Sequence, residues 1–224
     1  MADEPDDVDA MVEPVVPSRH RWLAGLLGAG PGDRVVDLGC GTGASLVQVA
    51  PDLHGGGGPG VAVGVDASLA VLGRAADALA PAVAAGTARV LLVQADLKDR
   101  LPFPDAAFDG ALVGFGVRNL ADLDAGLAEA ARVLKPGARF VILEFATPRF
   151  APLRAAYLFY FRHILPAVGR MVSKHRDAYT YLPESVLAFP EPEALARRFA
   201  AAGFHDVGFE LLSGGICAVH HGTR

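Results

Sequence analysis

The sequence predicts an α/β fold, a mostly parallel sheet covered by helices on both faces. Three observations predict it. Between residues 34 and 145, short runs of β-branched and aliphatic residues alternate with longer helical stretches, the pattern of strand–helix–strand units that share one sheet. The first run, Arg34 to Leu38, breaks into Gly39-Cys40-Gly41-Thr42-Gly43 just before an apolar helix that begins near Ala44, and a sharp turn there marks the edge where such sheets hold ligands. Acids also stand at or just past the ends of the first three runs, namely Asp37, Asp66 and Asp96.

Taken in order, Leu23 to Leu27 read as the end of a short helix beside His20 and Trp22, a segment that would cover the ligand edge. Gly28, Gly30, Pro31 and Gly32 then deliver the chain into the first strand. Side chains at Gly39, Gly41 and Gly43 would fill the space above that strand, so their absence lets backbone N–H groups and a helix N-terminus approach a small molecule. Gly39, Gly41 and Ala44 also fit the looser dinucleotide pattern G-x-G-x-x-G/A, and a turn that serves only tight packing is a further reading. The helix runs to about Ala50, and Gly55 to Gly60 read as a flexible connecting loop. Val61 to Val65 form the second strand, with Asp66 placed to accept both hydroxyls of a ribose; alternatively Asp66 or Ser68 caps the next helix. That helix spans Leu69 to about Leu79, and Ala88 to Gln94 form the third strand. Leu101-Pro102-Phe103-Pro104-Asp105 and the residues to Asp109 carry too many prolines and acids for a central strand and read as a turn. Gly110 to Phe115 form the fourth strand, and the helix from Asp122 to Leu134 stops at Lys135-Pro136-Gly137. Arg139 to Phe145 form the fifth strand.

A chain of 224 residues suits one such domain. Its net charge of −5 excludes general nucleic-acid binding, which needs a basic surface. Residues 1–13 hold six acids and no Lys or Arg, so residues 1–18 are expected to form an acidic, disordered arm ahead of a single domain over 19–224. The two cysteines, Cys40 and Cys217, show no metal-ligand spacing and suit a reduced, cytoplasmic protein. Cys40 reads either as a nucleophile or as a small residue packed behind the loop. His54, His175, His205, His220 and His221 show no ligand spacing, His220-His221 read as surface, and no metal is expected. No stretch reaches the roughly 18 apolar residues that span a bilayer, so the chain is expected to be soluble or peripheral.

Asp37-x-Gly39-x-Gly41-x-Gly43, with the Leu101–Asp105 turn and Arg132-Val133-Leu134-Lys135-Pro136-Gly137, resembles class I S-adenosylmethionine-dependent methyltransferases over residues 34 to 145. No Tyr-x-x-x-Lys pair follows to support a dehydrogenase. A narrower resemblance runs through Phe115-Gly116-Val117-Arg118-Asn119, Leu143-Glu144-Phe145, Leu165-Pro166, Tyr179-x-Tyr181-Leu182-x-Glu184-Ser185, Phe189-Pro190 and Ala202-Gly203-Phe204. These segments are similar to the C-methyltransferases of menaquinone and ubiquinone biosynthesis, although Gly114 stands where that family usually has serine. The resemblance implies a Rossmann-like class I methyltransferase fold with a seven-stranded sheet and a helical substrate cap at about 149–185. It implies S-adenosyl-L-methionine as cofactor, held by Asp37, Gly39, Gly41, Thr42, Gly43, Asp66, Ala67, Asp96, Leu97 and Gly114, with Asp96 receiving the adenine amino group. The acceptor it implies is a polyprenylated quinol, demethylmenaquinol or a benzoquinol.

A hydroquinone that loses a hydroxyl proton pushes electron density onto the adjacent ring carbon, which then attacks the methyl group. Arg118 and Asn119 are placed to hydrogen-bond the developing phenolate oxygen; a structural ion pair of Arg118 with Asp122 or Asp124 is the alternative. Tyr181 and His163, with Tyr179 and His20, could reach an acceptor hydroxyl or simply pack. Residues 149–176 carry six Lys and Arg and no acid, interleaved with aromatic and aliphatic residues. Such a segment suits either an anionic bilayer at the inner face of the cell membrane or an ordinary cap helix with a solvated basic face. Oligomeric state is open, a homodimer included. Another phenolic or lipid acceptor in secondary metabolism and a non-catalytic cofactor-binding scaffold are the competing functions.

Overall fold

The computed structural model describes residues 25–55, 58–164 and 185–224. The acidic arm expected over 1–18, His20, Trp22 and residues 165–184 of the cap segment, with Tyr179 and Tyr181, lie outside the described residues.

Seven strands form one sheet: β1 (Arg34–Leu38), β2 (Val61–Asp66), β3 (Val90–Gln94), β4 (Phe108–Gly114), β5 (Leu134–Phe145), β6 (His205–Leu212) and β7 (Cys217–Thr223). Their spatial order is β3-β2-β1-β4-β5-β7-β6. The first five strands run parallel, whereas β7 pairs antiparallel with both β5 and β6. Among the described residues, the complete helices are α1 (Ala44–Val49), α2 (Leu69–Ala84), α3 (Leu123–Val133), α4 (Ala151–Phe159) and α5 (Pro192–Ala201). Side chains alternate along each strand, and the sheet therefore has two apolar faces. On one, Val36, Leu38, Ala111, Val113, Phe140 and Ile142 pack with residues of α3 and α5. On the other, Val35, Leu112, Val141 and Leu143 pack with residues of α1 and α2. Burial on both faces is why these strands read as continuous apolar runs, each fully buried Val, Leu, Ile or Phe contributing about 1.5–3 kcal/mol.

Parallel order brings the carboxyl ends of β1 to β5 to one edge, where the glycine loop, Asp66, Asp96, the Arg118 turn and Glu144 all lie. The turn and helix-stop motifs are physically joined. Arg132 of α3 donates to Glu129 at 2.6 and 2.8 Å, to Asp105 Oδ1 at 2.6 Å, and to the Phe103 and Leu101 carbonyls at 2.9 and 3.2 Å. One guanidinium thus fixes the proline-rich turn that introduces β4.

Element boundaries differ from the sequence reading in places with local causes. Helix α2 continues past Leu79 to Ala84, carrying Pro81 within it, and turns at Gly86 with φ +67°, so β3 starts at Val90 and not Ala88. Strand β4 starts at Phe108 and not Gly110, and because Phe108 pairs with Leu134, β5 starts at Leu134 and not Arg139. The glycine-rich connection is not merely a flexible loop: His54–Gly55 pairs antiparallel with Gly58–Pro59. His220 is not at the surface. It is buried, its Nε2–H donates to the Pro192 carbonyl at 2.9 Å, and its ring stacks on Phe209. Burial lowers its pKa to about 4, so the imidazole stays neutral.

At Gly60 the chain passes so close to its neighbours that a Cβ would collide with the Leu53 carbonyl and lie 2.9 Å from that of Asp33. Backbone atoms cannot rotate away as side chains can. Gly60→Ala is therefore expected to lower stability by about 1–3 kcal/mol, seen as a lower urea midpoint at an unchanged slope.

Candidate active site

The loop after β1 needs left-handed backbone at three places, with φ +89° at Gly39, +52° at Gly41 and +87° at Gly43. Only glycine adopts these values without steric cost. At Gly43 a Cβ would also sit 3.1 Å from that of Ala75, so this glycine lets α1 start against α2. Thr42, partly exposed, occupies the bend between them.

The loop closes upon itself more than its sequence suggests. Gly39 and Cys40 N–H both donate to the Val65 carbonyl at 2.8 Å, Gly41 N–H to Asp66 Oδ2 at 3.1 Å, and Gly43 N–H to the Cys40 carbonyl at 2.9 Å. Four of the five loop N–H groups are thus engaged inside the protein, and α1 is only six residues long. The expectation of N–H groups turned toward a ligand is corrected: these glycines supply space and close approach, while the amides hold the loop to β2. A dinucleotide pyrophosphate needs those donors, and the dinucleotide reading loses its chemical basis.

Acidic groups lie where donors would be needed for a phosphate. Asp37 is 1% exposed, and both its carboxyl oxygens are buried without a partner among the described residues. Burial, with the nearby Asp66 charge as the second cause, pushes its pKa up to about 8. Asp66 accepts from Gly41 N–H on one oxygen and from Ser68 N–H at 2.9 Å on the other. Each oxygen keeps a second lone pair for a ligand hydroxyl. Ser68, and not Asp66, caps α2, accepting from Val71 N–H at 3.4 Å. Ala67 beside them is exposed, and its carbonyl accepts from Gln94. Asp96 accepts from Lys98 N–H at 3.0 Å and pairs with its ammonium at 3.0 Å, and these contacts hold its carboxyl below the usual range. Leu97 next to it packs against the core. This set of acids and hydroxyl acceptors around a loop with little anion-binding capacity fits a nucleoside that carries positive charge and no phosphate.

Cys40 is buried at 6% exposure, and burial together with Asp37 and Asp66 raises its pKa. It remains a thiol, which removes the nucleophile reading. A Cβ on Gly114 would meet only Ser45 Oγ at 3.6 Å, ordinary contact that leaves room there.

Arg118 lies on the 3-10 turn Val117–Asn119 that follows β4. The turn abuts the glycine loop: a Cβ on Gly116 would stand 3.6 Å from the Leu38 carbonyl and 4.0 Å from that of Gly39. The ion pair of Arg118 is not with Asp122 or Asp124. Asp122 caps α3 by accepting from Ala125 N–H at 3.0 Å, and Asp124 lies 3.5 Å from Arg198. Arg118 instead donates from Nη1 to Glu144 Oε1 at 3.0 Å and to the Phe115 carbonyl, with its guanidinium over the Phe145 ring. Glu144, 1% exposed, also accepts from Arg118 N–H at 3.2 Å and Phe145 N–H at 2.9 Å. Burial pushes its carboxyl above the ordinary range, opposed by Arg118 and these amides. Glu144 was missed as a site residue, although an acid closing the apolar run Phe140 to Leu143 is a signal.

Asn119 is exposed beside Arg118. His163 lies in the π-turn Tyr160–Ile164 after α4, exposed, its ring 5.0 Å from that of Phe159. Among the described residues no hydrogen bond or ring contact ties it to Arg118. The structure therefore gathers the loop, Asp37, Asp66, Asp96, Gly114, Arg118 and Asn119 at one edge and sets His163 on the flank of the cap.

Because Asp37 holds a proton to about pH 8 when folded and releases it near pH 3.8 when unfolded, the folded chain binds the extra proton between those values. Stability falls as pH rises through that window. Asp37→Asn is expected to remove this part of the slope, so that in thermal melts it gains on the parent chain from pH 5 to pH 8.

A protein from Mycolicibacterium gilvum called demethylmenaquinone methyltransferase is 40% identical over 194 residues, 87% of this chain and 78% of that protein. An S-adenosylmethionine-dependent methyltransferase from Aquifex aeolicus superposes with a TM-score of 0.62 at 18% identity, covering 92% of this chain and 88% of that one. The [4+2]-cyclase SpnF superposes at 0.66 and 20% identity over 93% and 80% of the two chains, so the fold alone does not decide the reaction. Sequence does decide the family: residues 19–224 match the ubiE/COQ5 methyltransferase family, and the chain belongs to it.

Proposed function

We propose that this protein transfers the methyl group of S-adenosyl-L-methionine to a ring carbon of a polyprenylated quinol, demethylmenaquinol in the first instance. The reading rests above all on the juxtaposition at one edge of a loop suited to a cationic nucleoside, with Asp37 and Asp66, and the Arg118 turn packed against that loop. The name borne by the relatives at about 40% identity favours a demethylmenaquinol over a benzoquinol.

When bound, the cofactor supplies an activated methyl group on a sulfonium with a neutral leaving group. Asp66 would accept the ribose hydroxyls, Asp96 the adenine amino group, and Asp37 would lie under the charged part of the nucleoside. Arg118 acts on the acceptor. Its guanidinium serves as a hydrogen-bond donor and positive charge toward the oxygen that loses its proton, and Asn119 offers an amide beside it. Positioning supplies most of the remaining rate, since the methyl group already carries its activation.

The cap offers a surface for a lipophilic acceptor. Phe150, Phe159, Tyr160 and Ile164 are 69%, 59%, 41% and 41% exposed, with Arg154 and Arg162 exposed among them. Arg149 is paired with Glu193. Among the described residues no helix is long and apolar enough to cross a membrane. A peripheral position on an anionic bilayer at the inner face of the membrane would bring the prenyl tail to the site.

Incubation with methyl-labelled S-adenosylmethionine and reduced demethylmenaquinone is expected to place the label on the quinol ring. Arg118→Gln should lower kcat about 100-fold while S-adenosylhomocysteine still binds in calorimetry. Label that enters a different lipid or phenol, and no quinol, would replace this reading. In a separate assay, the protein is expected to co-sediment with phosphatidylglycerol vesicles, and the double change Arg154→Glu and Arg162→Glu to release it; equal sedimentation of both proteins would remove the membrane contact.

A further inference from the structure

An arginine beside a cationic cofactor presents an electrostatic conflict. Arg118 is needed near the acceptor oxygen, yet its turn packs against Gly39 of the cofactor loop, so an uncompensated guanidinium there would repel a sulfonium. The acids around the loop show the sign that the site requires. At this edge the described cations occur only within pairs, Lys98 with Asp96 and Arg118 with Glu144, whereas Asp37 and Asp66 have no described cationic partner.

The Arg118–Glu144 pair is poorly explained as a stabilising device. Its side chains are 9% and 1% exposed, and desolvation of two such charges commonly cancels their attraction. Its geometry is specific, however. One carboxylate receives both the backbone N–H and the Nη1 of Arg118, and a third donor, the Phe145 N–H, fixes the carboxylate itself. Nη1 also reaches the carbonyl of Phe115, whose φ of +57° is unusual for a residue with a side chain. The charge of Arg118 is therefore matched in place before any ligand arrives.

We propose that Glu144 is a positioning and specificity residue that cancels the charge of Arg118, so that the guanidinium can serve the acceptor without disfavouring the sulfonium form of the cofactor relative to its demethylated product. The pair is electrically silent toward the nucleoside, and the Asp66 carboxylate supplies the net field that it meets. This rests on S-adenosylmethionine being the methyl donor and is independent of which acceptor is methylated.

S-adenosylmethionine and S-adenosylhomocysteine differ by one methyl group and one positive charge, so the ratio of their affinities reads the field at the sulfur. The ratio is measured on the full chain by calorimetric displacement of S-adenosylhomocysteine, whose binding also reports that each variant is folded. Glu144→Gln keeps the side chain's size and removes its charge. It is expected to weaken S-adenosylmethionine about tenfold relative to S-adenosylhomocysteine, the scale of one uncompensated charge at a partly buried site, with affinity for the latter within about twofold of the parent. The double variant Arg118→Gln with Glu144→Gln should return the ratio to the parent value. A Glu144→Gln ratio equal to the parent's would overturn the proposal. Should that single variant bind neither nucleoside, the double variant decides: a parental ratio supports a silent pair, and a ratio shifted toward S-adenosylmethionine shows that the charge of Arg118 was felt all along and overturns it. Failure of the parent chain to bind either nucleoside would instead remove the cofactor reading, and this inference with it.

Discussion

The structure depends first on the way the end of β2 grips the backbone leaving β1. The Val65 carbonyl accepts from Gly39 and Cys40 N–H, and the Asp66 carboxylate accepts from Gly41 N–H. Three successive amides that would be orphaned above a buried strand are thereby satisfied, and the left-handed bends at Gly39 and Gly41 are held in place. The same carboxylate steers the start of α2 through Ser68 N–H. A loop that must leave room for a ligand is thus made rigid by the residue that would grip that ligand's ribose.

That closure also decides what kind of molecule the edge suits. Phosphate sites of similar sequence leave backbone N–H groups pointing outward, whereas here the amides are satisfied internally and a buried, unpartnered Asp37 lies beneath. Charge selection therefore comes from side chains. The balance is completed on the other side of the edge, where Glu144 meets Arg118 before any acceptor is present. Buried charges are costly unless paired: Glu144 matches Arg118, and the Asp66 carboxylate at the loop gives the site its sign.

Away from the edge, the scaffold is tied by a small number of polar contacts at element ends. Arg132 reaches from α3 to Glu129, Asp105 and the carbonyls of Leu101 and Phe103. Lys135 pairs with Asp109, whose second oxygen accepts from Arg34 N–H. These contacts explain why a proline-rich turn and a helix stop, some thirty positions apart in the chain, belong together. They set the entry of β4, and with it the position of the Arg118 turn.

The sequence by itself determined the alternation of strands and helices, the glycine bend, and the acids at the strand ends. These follow from burial periodicity and backbone sterics, which act over a few residues. The boundary errors at Leu79, Ala88, Gly110 and Arg139 are of the same local kind, where an alanine-rich helix or a pairing partner extends an element. Only the tertiary structure decided the partners. Glu144 and not a neighbouring aspartate holds Arg118, because strand order sets the ends of β4 and β5 side by side. His220 is buried because α5 covers β7, and the loop amides close because β2 lies against β1. Hydrogen bonds and charge pairs of this sort depend on which distant segments become neighbours, and no local pattern carries that information.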